Sequence, residues 1–158
     1  MRVGLISDTH GLLRPEALDF LRGSNFIIHA GDIGSTKCAG LEILAPLAAI
    51  APLTVVRGNN DRGAWAREIP ETAILRLGQV AIYVIHDLKE LPLDPAGEGM
   101  RVVVSGHSHK PLCSERDGVL YVNPGSAGQR RFTLPISVGE LLVDSDRVTA
   151  RLVTLDVK

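Results

Sequence analysis

The chain has 158 residues, of which 45% are hydrophobic and 22% are charged, and this composition excludes disordered, collagen-like and coiled-coil proteins. Its length predicts a single domain over residues 1–158 with a self-sufficient hydrophobic core. Seventeen basic residues face eighteen acidic ones, for a net charge of −1, and only 4% of residues are aromatic. Nucleic-acid binding is not expected, because the sequence has neither a basic stripe nor a base-stacking platform.

The cysteines and the apolar stretches give the expected location of the protein. Cys38 and Cys113 lie far apart and in no metal-ligand spacing, which is typical of thiols in a reducing compartment. A strand-like segment begins at residue 2, so no secretory signal is predicted. The most apolar stretch, 41–56, contains Glu42 and two prolines and is too short to span a bilayer. We therefore expect a soluble, cytoplasmic protein without membrane contacts.

The first half of the chain alternates predicted strands and helices. Three apolar runs lack polar alternation, which is typical of strands covered on both faces; they are residues 3–7, 26–29 and 53–56. A helix is predicted from Pro15 to a stop at Gly23. A second helix is predicted from about Lys37, broken or kinked at Pro46. This series predicts a parallel sheet with helices packed outside it.

The second half of the chain predicts hairpins. Short turns at Gly78, at Asp117-Gly118 and at 144–146 connect paired apolar runs. The paired runs are 72–77 with 79–85, 112–116 with 119–122, and 135–143 with 147–155, and 101–105 is a further buried strand. Segment 87–99 has two prolines and two glycines and is predicted to be a flexible loop. The expected fold class is α/β, with two mixed β-sheets facing one another in a three- or four-layer sandwich flanked by helices.

Metal-capable side chains follow five of the predicted strands. Ligands of α/β sheets bind at the carboxyl ends of the strands, where this chain places seven candidate metal ligands: Asp8, His10, Asp32, Asn59, His86, His107 and His109. Asp8 with His10, and His107 with His109, are two positions apart, so each pair shares a face of an extended segment. Mixed carboxylate, imidazole and amide ligands favour Mn, Fe, Zn, Ni or Co over Ca or Mg.

Two divalent ions suit this set of side chains. Two divalent ions carry a charge of +4 and the two aspartates carry −2, which leaves about +2 for a hydroxide and an anionic substrate. Metal ions about 3.5–4 Å apart activate water and clamp the reacting oxygens of a phosphate ester. The residues therefore predict hydrolysis of a phosphate ester by attack of a hydroxide that bridges the two ions.

The chain resembles the calcineurin-like metallophosphoesterases in five motifs that occur in fixed order: Asp8-Thr9-His10, Gly31-Asp32, Gly58-Asn59-x-Asp61, His86 and Gly106-His107-Ser108-His109. A sixth motif, Asn123-Pro124-Gly125-Ser126, is similar to one in the small YfcE-type phosphodiesterase subgroup. The resemblance covers about residues 1 to 131 and implies the fold described above. It also implies two metal ions, with manganese as the preferred metal. The implied ligands of the first ion are Asp8, His10, Asp32 and His109, while Asp32 bridges to a second ion completed by Asn59, His86 and His107.

Two positions depart from the family pattern. Many members have a histidine after the metal-binding asparagine, where it helps to protonate the leaving group, but this chain has Asn60. Family members usually have glycine after the isolated histidine, but here His86 is followed by Asp87. Asp87 either hydrogen-bonds the site or caps a turn. Asp61 is expected to orient the Gly58-Asn59 loop. Asn60 and Asp61 are the candidate catalytic residues beside the metal ligands.

Other polar residues near the motifs have less specific interpretations. His29 ends a buried strand and is expected to be a core residue or a partner of a metal ligand. Either Arg130 or Arg131 reaches the phosphate, since a guanidinium matches its oxygens, or both are solvated. Lys110 is expected to be solvated.

Three functions are compatible with the sequence. The preferred one is a metal-dependent phosphodiesterase acting on a small-molecule phosphate ester. A phosphomonoesterase or small protein phosphatase would use the same site. A non-catalytic scaffold related to the retromer subunit of this fold is disfavoured, because every ligand position is filled here. A homo-oligomer is also compatible with the sequence.

Overall fold

The computed structural model describes residues 1–157, so Lys158, the last residue of the predicted domain, lies outside the described residues. The strands are β1 (Arg2–Ile6), β2 (Phe26–His29), β3 (Leu53–Val55), β4 (Thr72–Leu77), β5 (Val80–Ile85), β6 (Val102–Val104), β7 (Leu112–Arg116), β8 (Val119–Asn123), β9 (Ser137–Asp144) and β10 (Arg147–Thr154). The helices are α1 (Pro15–Leu21), α2 (Leu41–Ala48) and α3 (Ala64–Arg67), and a 3₁₀ turn covers Leu88–Glu90.

The strands form two five-stranded sheets, both mixed as predicted. The first sheet has the order β10-β9-β1-β2-β3 and the second has the order β4-β5-β6-β8-β7. In the first sheet β1, β2 and β3 are parallel, whereas β9 runs antiparallel to its neighbours. In the second sheet β5, β6 and β8 are parallel, and β4 and β7 are antiparallel edge strands.

The core lies between the sheets and between the first sheet and its helices. Side chains alternate across β1, so Val3 and Leu5 enter the cluster shared with the second sheet. Ile6 points the other way and packs in the cluster that contains Leu21 of α1. A Cβ at Gly4 would lie 2.5 Å from a methyl group of Leu21, so glycine lets α1 approach the sheet closely. The helices therefore cover the outer face of the first sheet.

The outer face of the second sheet is covered by the segment predicted to be a flexible loop. Leu88 and Leu91 pack against a cluster that includes Tyr83 of β5. The segment begins with the 3₁₀ turn, and the side chain of Asp87 caps it by accepting a hydrogen bond from the Lys89 backbone N–H at 3.0 Å. The loop prediction was wrong for this part, because regularly placed leucines give the segment an apolar side to bury.

The predicted second helix begins later than expected. The Ser35 hydroxyl oxygen accepts hydrogen bonds from the backbone N–H groups of Lys37 and Cys38, so these residues form a turn and α2 begins only at Leu41. Pro46 lies inside α2 and does not end it. The four-residue helix α3 was not predicted. The α-helices have seven, eight and four residues, and no helix in residues 1–157 could cross a membrane.

Candidate metal centre

Backbone strain is concentrated at the candidate ligands. Eight non-glycine residues of the described chain have a positive φ, and five of them are candidate ligands: Asp8 at 54°, His10 at 45°, Asp32 at 54°, His107 at 71° and His109 at 62°. Such conformations cost on the order of 1–3 kcal/mol each and cluster at functional sites. Here they turn the chain sharply after β1, β2 and β6, which directs the side chains back towards a common point.

A first group of candidate ligands combines residues that follow β1 and β6. Oδ1 of Asp8 lies 3.3 Å from Nε2 of His109 and 3.8 Å from Nε2 of His10. The other oxygen of Asp8 accepts hydrogen bonds from the Ser7 hydroxyl at 2.6 Å and from the His107 backbone N–H at 3.1 Å. Oδ1 is buried without a hydrogen-bond partner. A cation between the two imidazoles would satisfy this oxygen, so the residues fit a metal ion.

A second group lies beside the first. The side-chain oxygen of Asn59 is 3.1 Å from Nε2 of His86 and 3.0 Å from Nδ1 of His107. Nε2 of His86 is also 3.3 Å from Oδ2 of Asp32. Nδ1 of His86 donates to the carbonyl oxygen of Ala30 at 2.7 Å, which fixes the ring with Nε2 towards the other ligands. This carboxylate, imidazole and amide set also fits a metal ion.

Asp32 lies between the two groups. Its Oδ2 is 3.3 Å from Nε2 of His86 and 3.6 Å from Nε2 of His10. Asn60 donates its backbone N–H to Oδ1 at 2.8 Å and its side-chain N–H to Oδ2 at 2.9 Å. A Cβ at Gly58 would lie 2.2 Å from Oδ1, so only glycine fits beside this carboxylate. Asp32 is therefore held in a fixed orientation, with Oδ2 close to one imidazole of each group.

Proton affinities within the centre are strongly coupled. Burial raises the pKa of Asp32, but hydrogen bonds from His86 and Asn60 outweigh burial and hold this pKa far below its usual range. Burial lowers the pKa of His86, but its hydrogen bond to Asp32 and the charges of Asp8 and Asp32 raise it to about 9. The carboxylates thus favour a positive charge at His86. A metal ion would replace that proton, because an imidazole ligand is neutral.

His29 connects the loops that follow β1 and β2. Its Nδ1 accepts a hydrogen bond from the Gly31 backbone N–H at 3.1 Å, and its Nε2 lies 3.0 Å from the Thr9 hydroxyl. That hydroxyl donates its proton to the Ile33 carbonyl oxygen at 2.8 Å, so Nε2 carries the hydrogen of the ring. Burial lowers the pKa of His29 to about 3. His29 is thus a neutral core residue that supports the ligand loops, as expected.

Asp61 acts on backbone groups. Its carboxylate accepts hydrogen bonds from the backbone N–H groups of Gly58 at 2.8 Å, Ile33 at 2.8 Å and Gly34 at 3.2 Å. Burial raises the pKa of Asp61, while these N–H groups lower it. The expected contact with the Gly58-Asn59 loop is present. Because Asp61 joins the loops after β2 and β3 through their backbones, its geometry favours positioning over direct participation in a reaction.

The remaining predicted residues lie around the centre. Asp87 caps the 3₁₀ turn with one oxygen, and its other oxygen is 3.8 Å from Nε2 of His107. Lys110 is exposed, as expected. Arg131 is also exposed, and the exposed Arg130 donates to the Leu134 carbonyl oxygen at 3.3 Å.

Hydroxyl and amide groups that sequence reasoning gave no role support the ligand loops. The side-chain N–H of Asn123 donates to the Gly106 carbonyl oxygen at 2.8 Å, which holds the turn carrying two histidines. The hydroxyl of Ser126 donates to the backbone carbonyl of Asp8 at 3.0 Å. The resemblance had picked out both residues by their motif alone. For Ser7, the only available signal was its position directly before Asp8.

The family of the chain is established by comparison with known proteins. Residues 1–146 match the family model of the calcineurin-like phosphoesterase superfamily domain, and the chain belongs to this family. A probable metallophosphoesterase of Methanothermobacter thermautotrophicus is 33% identical over 97% of this chain and 92% of the relative. The predicted family is therefore confirmed, and with it the phosphoesterase class and the fold.

Solved structures share the fold over nearly the whole chain. A novel archaeal phosphodiesterase has a TM-score of 0.76 at 23% identity and covers 97% of this chain and 100% of its own. YfcE, a phosphoesterase from E. coli, has a TM-score of 0.72 at 22% identity, with coverage of 99% and 100%. Vps29 from Entamoeba histolytica in complex with zinc has a TM-score of 0.73 at 22% identity, also with coverage of 99% and 100%.

Proposed function

We propose that the chain is a metal-dependent phosphodiesterase with two divalent ions, preferably manganese. The proposal rests on one observation: short distances connect the candidate ligand atoms of the two groups, and Asp32 lies between the groups. The first ion is assigned to Asp8, His10, Asp32 and His109, and the second to Asp32, Asn59, His86 and His107. Two groups of three from this set each place one ligand atom per residue within 4.8 Å of the others.

The side chains of the centre would have different roles in hydrolysis. Bound divalent ions would supply an activated water and neutralise the charge of the phosphate. Asp8 and Asp32 provide the negative charge that holds cations, and Asn60 keeps Asp32 in place by two hydrogen bonds. Hydrolysis of a diester breaks one P–O bond, adds the hydroxyl of water to phosphorus and places the water proton on the departing alcohol.

A diester is favoured over a monoester by the space beside the centre. Two cavities, of about 430 and 500 Å³, are lined by His86 and His107 respectively, and a diester carries two organic groups that need room. One similar solved structure is named a phosphodiesterase. A phosphomonoesterase with the same ligands would need only one such cavity.

The proposal is tested with purified protein whose metal content is measured by mass spectrometry. Bis(4-nitrophenyl) phosphate and 4-nitrophenyl phosphate are assayed as diester and monoester, with and without added Mn²⁺. We expect about two metal ions per chain and higher kcat/KM for the diester. Asp32→Asn should abolish turnover, whereas Asp146→Asn, in the exposed β9–β10 turn, is the matched control.

The alternative functions give different results in the same assay. Faster hydrolysis of the monoester would identify a phosphomonoesterase. Bound metal without turnover of either substrate would favour the non-catalytic scaffold. Absence of metal from protein supplied with Mn²⁺ and Zn²⁺ would contradict both enzyme assignments.

A further inference from the structure

The larger of the two cavities beside the centre is lined by both apolar and polar residues. Its volume is about 500 Å³, and His107 and Asn123 are among its polar lining residues. Leu88, Leu112 and Tyr121 supply apolar surface to its lining. This volume lies within the range of small-molecule binding sites. The cavity is therefore an extension of the metal centre along the outer face of the second sheet.

The apolar wall follows from the strand register. Leu112 of β7 pairs with Asn123 of β8, and Ser114 pairs with Tyr121, so Leu112, Tyr121 and Asn123 point to the same face of the sheet. The segment with Leu88 covers this face at β5 and β6. At the edge strand β7 the cover ends, and Leu112 remains 52% exposed. An apolar side chain is thus left available beside His107.

Tyr121 is held in place before any ligand binds. The guanidinium of Arg116 lies 4.3 Å from the centre of its ring, which restrains the ring by a cation–π contact. A fixed aromatic wall loses little conformational entropy on binding. The ring therefore offers a preformed surface for another apolar group.

The charges around the two cavities distinguish their ligands. The larger cavity is lined by one acid, Asp87, and one base, Lys89, so its charges balance. The smaller one is lined by Arg57 and by three acids, including Asp87 and Glu90. An uncharged apolar group that fills the larger cavity does not displace water from a net charge. In the smaller cavity the same group would displace water from an excess of acidic side chains, which is unfavourable.

We propose that the 500 Å³ cavity binds an uncharged, apolar or aromatic ester group of the phosphodiester substrate. This inference rests on the proposed function, because the phosphate must lie at the metal centre for its ester group to reach Leu112 and Tyr121. The protein then prefers diesters that carry an aryl or alkyl group over those that carry only small groups.

The preference is measured by calorimetry on Mn²⁺-loaded protein with two monoanionic phosphonates. Methyl phenylphosphonate and methyl methylphosphonate differ only in the group joined by a stable P–C bond. Burial of the phenyl group against a partly open apolar wall is expected to give about tenfold tighter binding than burial of methyl. Leu112→Asn, a neutral change at an exposed position, should reduce this ratio to about twofold.

The control carries the same substitution on the other sheet. Leu142 is 49% exposed on β9, and Leu142→Asn should leave the tenfold ratio unchanged. Equal binding of the two phosphonates, binding of neither, or a ratio that survives Leu112→Asn would overturn the cavity assignment. Hydrolysis of bis(4-nitrophenyl) phosphate is followed in parallel. A lost preference with intact hydrolysis rejects the cavity assignment alone. A phenyl preference without hydrolysis rejects the phosphodiesterase, and the cavity then binds an apolar group that is not the ester group of a substrate.

Discussion

Asp32 is the residue on which both proposed ions depend. Its Oδ2 lies within 3.6 Å of imidazole nitrogens from both ligand groups, whereas His109 contacts only the first group. Asp32→Asn should therefore remove both ions, because an amide replaces the shared carboxylate. His109→Asn should weaken mainly one. The measurement is metal stoichiometry after dialysis against a fixed Mn²⁺ concentration. Loss of one ion in both variants would contradict the shared role of Asp32.

We expect position 60 to lack a proton donor for the leaving group, because it carries asparagine. Its side-chain N–H reaches Oδ2 of Asp32, so position 60 faces the centre, but a carboxamide cannot serve as a proton donor near neutral pH. Hydrolysis should therefore depend steeply on the acidity of the leaving group, with nitrophenyl diesters cleaved readily and alkyl diesters slowly. General acid catalysis typically contributes ~10²–10⁴-fold. The measurement is kcat/KM for matched aryl and alkyl diesters.

Asn60→His tests this interpretation directly. A histidine at this position should narrow the difference between aryl and alkyl diesters by some part of the general-acid factor. Asn60→Ala is the control, because both substitutions remove the hydrogen bond from Asn60 to Asp32 but only Asn60→His adds a proton donor. A flat dependence on leaving-group acidity in the unmodified protein would show that another group supplies the proton.

At the scale of elements, Glu140 of β9 joins three strands of the first sheet. It accepts hydrogen bonds from Arg2 of β1 and from Arg151 of β10, the latter at 2.8 Å. Burial raises the pKa of Glu140, but the two arginines hold it below its usual value of 4.5. Because the folded-state pKa is lowered, this stabilisation is present above about pH 4.5 and is lost as the pH falls through the folded-state pKa.

Glu140→Gln should therefore lower the free energy of unfolding at pH 7 by about 1–2 kcal/mol, after allowance for the partial exposure of the arginines. The difference from the unmodified protein should shrink towards zero below pH 4. Urea unfolding of metal-free protein measures both values. Asp19→Asn, which affects only the exposed pair with Arg22, should change stability by less than about 0.5 kcal/mol at either pH. A pH-independent effect of Glu140→Gln would argue against the charged pairing.

The strand ends that carry the candidate site were easier to predict from the sequence than helix α2 and the segment after Asp87. Polar residues directly after apolar runs identify strand ends, and strand ends of parallel segments meet in space, so Asp8, Asp32 and His86 could be predicted together. Helix α2 and the segment after Asp87 were less predictable. Their boundaries depend on a serine hydroxyl that stabilises a turn and on leucines whose partners lie elsewhere in the chain. Positive φ at aspartate and histidine has no sequence signal as reliable as glycine gives.

In the whole molecule, the proposed metal ligands come from both sheets. Asp8 and Asp32 follow strands of the first sheet, while His86 and His107 follow strands of the second. The sheets are otherwise joined by apolar packing in the cluster between them. Ions bound by ligands from both sheets would therefore oppose their separation during unfolding.

Metal binding should raise the melting temperature by an amount that depends on metal concentration. An ion that binds only the folded chain adds about 2.7 kcal/mol at 100 times its dissociation constant, and for a domain of about this size 1 kcal/mol corresponds to roughly 2–4 °C. The two proposed ions would together add about twice that, so we expect an increase of about 10–20 °C when chelated protein is supplied with Mn²⁺ at this excess. Differential scanning calorimetry with EDTA, and with stepwise Mn²⁺, measures it. Asp32→Asn should lose most of the increase and Asp146→Asn should retain it. An unchanged melting temperature in protein with two bound ions would mean that the unfolded chain binds the ions equally well. The ions would then not oppose separation of the two sheets.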